Sequence, residues 1–206
     1  MLADVNCVVA LAAGDVQNCA MFSALFSRTG RARKPLLGGV ALAASLVASL
    51  ATAQPAAADL EPCDGSVAAQ DVVERLNELR RSADAPCAQA HAALAVLAWE
   101  SRLAASAQEQ AVDLAVNERL SHVDARQRSF GVRLRSVGYS ASGAGENLAA
   151  GQSNLDDALA AWLASPSHCA NLMQPQFSDV GVACVQRRGS RYERYWVAHF
   201  GAPVRR

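Results

Sequence analysis

The sequence predicts an α+β domain, and a change of hydrophobic period along the chain carries this prediction. Apolar residues recur at helical spacing between residues 66 and 163, whereas the period changes to two after Phe177. The alternation runs through residues 180–185 and, beyond a turn at Gly189, through residues 195–200, which predicts a hairpin. Helices followed by antiparallel strands are typical of the α+β class.

Four helices are predicted ahead of the hairpin from the spacing of apolar residues and from their start and stop signals. Their predicted limits are Ser66 to Arg81, Trp99 to Leu120, Phe130 to Gly138, and Asn154 to Pro166. Asn154, with Asp157 three residues further on, resembles a capping arrangement. Of the segments between these helices, residues 82–95 are predicted to form a loop or a short helical insert. The glycine- and serine-rich residues 138–151 are predicted to form a loop that passes into a strand.

The first 58 residues have the organisation of an export signal. Four basic residues between 28 and 34 precede an apolar run from Leu36 to Leu50, and small residues follow at Ala56–Ala58. This is the order of a secretory signal peptide, so we expect cleavage near Ala58. An uncleaved signal anchor is the alternative.

The predicted organisation of the chain follows from this signal. Residues 1–58 form the signal region, residues 59–66 an N-terminal segment, residues 67–201 the folded domain, and residues 202–206 a tail. Because a leader of ordinary form begins at Met21, residues 1–20 are expected to be an over-extended start. We expect the processed protein to be extracellular or periplasmic.

Composition and charge exclude several classes of partner. The chain has 19 basic and 19 acidic side chains, and removal of the leader leaves 148 residues with a net charge of −2. Such a domain has no overall positive field that would attract nucleic acid or an anionic membrane surface. We therefore expect no nucleic-acid partner, membrane contact only through the export signal, and a monomer.

The cysteines of the processed chain predict a disulfide framework. Four remain after export, at Cys63, Cys87, Cys169 and Cys184, and an even number in an exported domain indicates two disulfides. Four cysteines allow three pairings, and we expect nearest neighbours to pair, Cys63 with Cys87 and Cys169 with Cys184. Buried thiols are the alternative, and zinc is disfavoured because no C-x-x-C pair is present.

Three titratable residues are the candidates for chemistry. They are His122 in Leu-Ser-His, Glu146 in Gly-Glu-Asn and His168 in Ser-Pro-Ser-His. Two imidazoles and a carboxylate can bind a divalent metal or supply a general acid and a general base. A histidine taken singly is more often a hydrogen-bonded structural residue, so spacing alone does not decide between these roles.

A series of short motifs in order carries a family resemblance. The motifs are Asn77-Glu78-Leu79-Arg80, Leu97-Ala98-Trp99, Leu120-Ser121-His122, Ala144-Gly145-Glu146-Asn147-Leu148, Trp162 followed by Ser165 to Met173, Val180-Gly181-Val182, and Tyr195-Trp196-Val197 followed by Phe200-Gly201. From Val67 to Gly201 the chain resembles the CAP superfamily (cysteine-rich secretory proteins, antigen 5 and pathogenesis-related 1), and specifically its bacterial SCP-like extracellular branch.

The resemblance implies a three-layer α-β-α sandwich with a central, mainly antiparallel sheet. It also implies a cleft lined by His122, Glu146 and His168, with Asn147 beside them. Some relatives bind zinc through the two histidines, so a metal at His122 and His168 is an option that the resemblance implies, and no cofactor is expected to be required.

We expect the protein to act by binding a lipid, a cell-wall polymer or a protein at this cleft, rather than as an enzyme. Two alternatives stay open: a metal-assisted or acid/base hydrolase that uses the same three residues, and a structural domain in which the cluster is a hydrogen-bonded brace. A serine hydrolase is disfavoured because Gly-x-Ser-x-Gly is absent. His91 and His199 are expected to be structural or exposed to solvent.

Four arginines crowd the predicted hairpin turn, at Arg187, Arg188, Arg191 and Arg194. This basic tip can meet an acidic cell-wall polymer, a lipid headgroup or a partner protein. The alternative, which we favour, is a solvated turn whose charges keep the hairpin edge from aggregating.

Overall fold

A sheet lies between two layers of helices in the computed structural model, which describes residues 7–9, 59–63, 68–82, 87 and 94–204. The helices are α1 (Ala69–Arg81), α2 (Ser101–Asn117), α3 (Phe130–Ser136), α4 (Leu155–Ala164) and α5 (Pro166–Leu172). The strands are β1 (Cys7–Val9), β2 (Glu61–Pro62), β3 (Ala98–Trp99), β4 (Ala141–Ala150), β5 (Asp179–Gln186) and β6 (Arg194–Pro203).

The sheet is mainly antiparallel, with the strand order β1-β4-β6-β5-β2. The short strand β3 pairs in parallel with β5, off this path. The centre of the sheet is the predicted hairpin of β5 and β6, and the long strand β4 pairs with β6 along its whole length. One pairing matters for the candidate site, because it sets Glu146 of β4 opposite His199 of β6.

Each face of the sheet packs on its own layer of helices. Because successive residues of a strand point to opposite faces, β6 places Trp196, Ala198 and Phe200 on one face and Tyr195 and Val197 on the other. The first face packs against α1, α4 and α5. The second face packs against α2, and α3 joins it through a smaller apolar cluster. This is the predicted α-β-α sandwich.

Most predicted elements are present, and two segments differ from the prediction. Residues 141–150, which were expected to begin as a loop, form the ten-residue strand β4. Pro166 ends α4 as predicted but also opens α5, because proline suits the first turn of a helix, where its missing N–H costs nothing. The cap predicted at Asn154 is confirmed, since Asn154 Oδ1 accepts a hydrogen bond from Asp157 N at 2.9 Å.

A glycine allows α2 to pass directly over the sheet. A Cβ atom added at Gly181 of β5 would lie 2.1 Å from Ala104 N and 2.5 Å from Leu103 C, which are backbone atoms of α2. Helix α2 can therefore approach β5 so closely only because residue 181 has no side chain. The position of α2 fixes in turn where the following loop, which holds His122, begins.

The disulfide pairing expected from neighbouring cysteines is wrong. Cys63 pairs with Cys184, with Cα atoms 5.4 Å apart, and Cys87 pairs with Cys169, with Cα atoms 5.9 Å apart. Cys63 follows β2, which pairs with β5, so the sheet itself brings Cys63 to Cys184. The second bond ties residue 87 to α5. Each disulfide closes a long loop and so stabilises the folded state by about 4–5 kcal/mol in the chain-entropy model.

The apolar run of the predicted leader, Leu36 to Leu50, lies outside the described residues, as do Met21 and His91. Within residues 1–58 the structure describes Cys7–Val9, which forms β1 and pairs with Ala144–Glu146 of β4. Cleavage near Ala58 would remove β1 and leave β4 at the edge of the sheet. Among the described residues, no helix has the length and apolar character needed to cross a membrane.

Candidate functional site

Glu146 is the centre of a buried charged cluster. Its side chain has no exposed surface, and three donors reach its two oxygens. His122 Nδ1 lies 2.5 Å from Oε1. Arg133 Nη2 lies 2.6 Å from Oε2, and His199 Nε2 lies 2.7 Å from the same atom. A buried carboxylate needs both an opposite charge and hydrogen-bond donors, and Glu146 has both.

The surroundings of Glu146 keep it ionised. Burial on its own would raise the pKa of this carboxyl group, because a charged form is disfavoured away from water. The positive charge of Arg133 and the hydrogen bonds from His122 and His199 outweigh burial, so the pKa of Glu146 lies well below its usual range. An ionised carboxylate only accepts hydrogen bonds, and this fixes the protons of its neighbours.

The two ring nitrogens of His122 differ, because one is hydrogen-bonded and the other has no such contact within the described part of the chain. Because Glu146 accepts, Nδ1 of His122 carries the donated proton, and Nε2 takes no part in this contact. Nε2 is buried and has no hydrogen-bond partner among the described residues, and the whole side chain is 5% exposed. A buried polar atom without a partner is costly, so Nε2 is the place where water or a ligand would contact this ring.

His199 belongs to the same cluster, so it is not exposed to solvent, whereas the structural role expected for it stays a prediction. It lies on β6 opposite Glu146, is fully buried, and packs against Phe130 with ring centroids 4.7 Å apart. Burial lowers the pKa of His199, although the contact with Glu146 opposes that effect. The ring is therefore neutral at neutral pH and donates from Nε2 to Glu146.

Arg133 is the cation of the cluster, and sequence reasoning missed it. It is fully buried on α3, and its Nη1 donates to the main-chain oxygens of His122 at 3.0 Å and Arg128 at 2.9 Å. The guanidinium thus holds both Glu146 and the backbone that presents His122. A signal was present, because Arg133 shares the helical spacing of the apolar residues Phe130, Leu134 and Val137.

Asn147 and His168 lie on the other side of β4. Asn147 Nδ2 donates to the main-chain oxygen of His168 at 3.0 Å, and Asn171 Nδ2 donates to Asn147 Oδ1 at 2.8 Å. Gly145 allows this approach, since a Cβ atom there would lie 2.8 Å from Asn171 Oδ1. The structure therefore joins His122 directly to Glu146, whereas it joins His168, on α5, to the neighbouring residue Asn147.

The comparisons with known proteins give the chain its family. A model of the cysteine-rich secretory protein family, CAP, matches residues 73–200, which is more than half of the chain. The chain belongs to the CAP family. This confirms the resemblance drawn from the ordered motifs, and the bacterial neighbours that follow agree with the SCP-like branch.

Bacterial CAP and SCP proteins are among the similar proteins. The "Uncharacterized protein YkwD" of Bacillus subtilis is 30% identical over 87 residues, which cover 42% of this chain and 34% of that protein. An extracellular protein containing an SCP domain from Bacillus anthracis is 28% identical, with a TM-score of 0.52, over 64% of this chain and 39% of that one. The chain thus spans little more than a third of these two relatives.

A third similar structure supports the fold of this CAP domain. An outer surface protein of Borrelia burgdorferi is 22% identical, with a TM-score of 0.58, over 70% of this chain and 98% of that one. At this identity the likeness shows a shared architecture only.

Glu146 offers no free carboxylate oxygen to a metal ion in this CAP domain, and a metal at His122 and His168 stays a prediction. Both carboxylate oxygens are engaged, and the guanidinium of Arg133 lies 2.6 Å from Oε2. Within the described part of the chain, no group of three or more His, Cys, Asp or Glu side chains is arranged to hold a metal. A divalent ion at Glu146 would have to displace Arg133, which is itself buried.

The serines next to the two histidines are engaged elsewhere. Ser121 Oγ donates to the main-chain oxygen of Val123 at 2.7 Å and accepts from Val123 N at 3.1 Å, forming a local turn. Ser167 Oγ lies 3.2 Å from Ser165 Oγ. Cys169 is bonded to Cys87 and cannot act as a thiolate nucleophile. The CAP domain thus pairs Glu146 with His122 in the manner of a catalytic base but provides no nucleophile at Ser121.

Among the four arginines of the basic tip, Arg187 has a close acidic partner, and the other three differ in their contacts. Arg187 Nη1 donates to Ala115 O and to Glu118 Oε1, both at 3.0 Å, and so caps the end of α2. Arg191 lies over the ring of Tyr192, and its main-chain N–H donates to Glu118 Oε2 at 3.0 Å. Exposed Arg188 lies 3.9 Å from Glu61, and Arg194 is half-buried.

Proposed function

We propose that this CAP domain acts outside the cytoplasm as a binding domain, and that His122 Nε2 is the atom that receives the ligand. The observation that carries the proposal is the contrast between the two nitrogens of one ring. Nδ1 is held at 2.5 Å by Glu146, whereas the buried Nε2 has no partner among the described residues. A histidine ring that is oriented by a hydrogen bond at one nitrogen can present its other nitrogen to a ligand.

The location and the ligand classes rest on the family and on the sequence. The Bacillus anthracis relative is described as extracellular, and an export signal is predicted for residues 1–58. The ligand is drawn from three classes: a lipid, a cell-wall polymer or a protein. His168, on the other side of β4, is proposed to contribute from α5.

The test is co-sedimentation of the protein with isolated bacterial cell-wall sacculi and with phospholipid vesicles, together with a binding scan against secreted proteins of the same bacterium. Wild type should bind one of these probes saturably. His122→Ala should lose that binding while it remains folded by circular dichroism, although loss of the hydrogen bond to Glu146 should lower its melting temperature. Arg135→Ala, an exposed change on α3, should keep the binding. No saturable binding to any of the three classes would contradict the proposal.

A second function is favoured by the Glu146–His122 pair, which has the geometry of an oriented general base. If the domain is a hydrolase, wild type should release soluble product from one of the same probes, and both His122→Ala and Glu146→Gln should abolish the release. If the cluster is only a brace, wild type should neither bind nor hydrolyse the probes, and a lower melting temperature should be the only effect of His122→Ala.

A further inference from the structure

The outer edge of β4 is covered by the chain's own N-terminal strand. Strand β1 (Cys7–Val9) pairs antiparallel with Ala144–Glu146 of β4, on the side away from β6. Because β1 lies within residues 1–58, for which an export signal is predicted, cleavage near Ala58 would remove it. The exported domain would then present an unpaired stretch of β4, and such an edge is a template for another strand.

The hydrogen-bond pattern of the sheet shows which residues of β4 face outward. Gly151 N donates to Arg194 O at 2.9 Å, so Gly151, directly after β4, faces β6. In an antiparallel ladder the main-chain groups of successive residues point to opposite sides. Ala144, Glu146 and Leu148 therefore direct their N–H and C=O groups away from β6, toward the outer edge.

Two helices cover part of this outer edge. The main-chain oxygen of Leu148 accepts a hydrogen bond from Trp162 Nε1 of α4 at 3.1 Å, and that of Glu146 accepts one from Asn171 Nδ2 of α5 at 3.4 Å. For Ala144, by contrast, β1 is the partner on this side among the described residues. The opening that β1 fills is therefore short and lies at residues 144–146.

This opening offers main-chain groups rather than side chains. The side chain of Ala144 belongs to the apolar cluster beneath α2 and α3, and Gly145 faces Asn171 on the other side of the sheet. A strand added here would be held by main-chain hydrogen bonds. Three residues of strand span only about 10 Å, which suits one short extended segment and is too short for the interface of a stable dimer.

We propose that residues 144–146 of β4 accept, after the leader is removed, an extended segment of a partner protein as an antiparallel strand. The segment takes the place that Cys7–Val9 holds in the full chain, and it resembles β1 in carrying β-branched residues, which favour an extended conformation. This surface goes beyond the proposed function, because it uses main-chain atoms of β4 and no atom of His122. It depends on cleavage of the leader, which mass spectrometry of the exported protein reads directly.

The first experiment uses a fluorescein-labelled peptide of residues 4–11, with Cys7→Ser to prevent disulfide exchange, in a fluorescence polarisation titration. The protein exported by an expressing bacterium should bind this peptide saturably. The full chain, produced without export and with its disulfides formed, should bind at least about tenfold more weakly, because its own β1 competes at a high effective concentration. Equal binding by the two forms, no binding by the exported form, or an exported form that retains residues 7–9 would overturn the proposal.

Two matched peptides test the pairing without altering the protein. Val9 lies opposite Ala144, whose main-chain groups point outward, so the N–H of Val9 belongs to the ladder. Val8 lies opposite Gly145, and its N–H points away from β4. N-methylation at Val9 should therefore weaken binding by about tenfold, whereas N-methylation at Val8 should leave it unchanged. Equal effects of the two methyl groups would overturn the proposal.

Amide hydrogen exchange followed by NMR locates the peptide on the exported protein. The peptide should slow exchange at the main-chain N–H groups of Ala144 and Glu146, and protection elsewhere in the sheet without these two would overturn the proposal. A dimer in sedimentation, with both groups protected before peptide is added, would also overturn it, because a second copy would then hold the edge. A negative ligand screen at His122 contradicts the proposed function and leaves all these results standing.

Discussion

Glu146 and Asn147 are neighbours on β4, yet they are held in opposite halves of the sandwich and by opposite means. Glu146 points toward α2 and α3, into a cluster of two imidazoles and a guanidinium. Asn147 points toward α5, where it contacts the side-chain amide of Asn171 and the main-chain oxygen of His168. Three side chains of the first half, His122, Arg133 and His199, each carry a buried nitrogen without a partner among the described residues.

The two halves differ in how completely their buried polar groups are paired. Amide to amide and amide to carbonyl bonds are complete in themselves and carry no net charge, so the Asn147 side behaves as a brace that positions α5. The Glu146 side satisfies its carboxylate but leaves one ring nitrogen of His122 and one of His199 without a partner among the described residues. Buried polar atoms of this kind usually have water or a ligand as partner.

The largest expected effect comes from breaking the ion pair on the Glu146 side. Arg133→Met should lower the free energy of unfolding by about 3–5 kcal/mol, because it leaves the carboxylate of Glu146 buried without a counter-charge. Urea denaturation at neutral pH measures the loss. Arg133→Lys should lose less, since it keeps the charge. A loss in Arg133→Met smaller than that in Asn147→Ala would break the comparison.

A smaller effect is expected on the amide side. Asn147→Ala should cost about 1–3 kcal/mol, because the main-chain oxygen of His168 and the amide of Asn171 each lose a partner in a buried place. The same denaturation series measures it. Asn147→Asp is the matched variant, as it can still accept from Asn171 but cannot donate to His168. If either variant changes which nitrogen of His122 is protonated, the two halves are not independent.

Much of the fold was predictable because it depends on local pattern. Apolar periodicity predicts α1, α2 and the β5–β6 hairpin, and the motif Asn77-Glu78-Leu79-Arg80 marks a brace within that pattern. Asn77 exchanges two hydrogen bonds with the backbone of Leu97. Arg80 donates to the main-chain oxygens of Ala95, Leu172, Gln174 and Phe177, and burial lowers its pKa to about 10.

The parts that the sequence did not predict depend on register and on distant contacts. His199 faces Glu146 because of the register in which β4 and β6 pair. The alternation of apolar residues in β6 does not predict which residue of β4 lies opposite His199. The pairing of Cys63 with Cys184 depends in the same way on the pairing of β2 with β5. Arg133 lies on a helix, and its carboxylate partner Glu146 lies on a strand. Only the folded structure shows that the two side chains meet.

The smallest expected effect is on the pH dependence of stability, which should come from the Glu146 side and not from the Asn147 side. Because the pKa of His199 is lowered in the folded protein, the unfolded chain binds more protons below about pH 6.5, so stability should fall as the pH is lowered through that value. The slope from one such group is at most about 1.4 kcal/mol per pH unit. Glu146, whose pKa is also lowered, adds a second loss below about pH 4.5.

His199→Gln tests this assignment, because glutamine can still donate to Glu146 but does not titrate. Urea unfolding at intervals from pH 7 to pH 4 should show a shallower loss between pH 6.5 and pH 5 in His199→Gln than in wild type, with the steeper loss below pH 4.5 retained in both. Asn147→Ala should keep the wild-type slope in both ranges, because Asn147 bonds to an amide and to a main-chain oxygen, neither of which titrates. An equal slope in wild type and His199→Gln would show that the buried imidazole does not contribute, and the acid sensitivity of the fold would then belong to Glu146 alone.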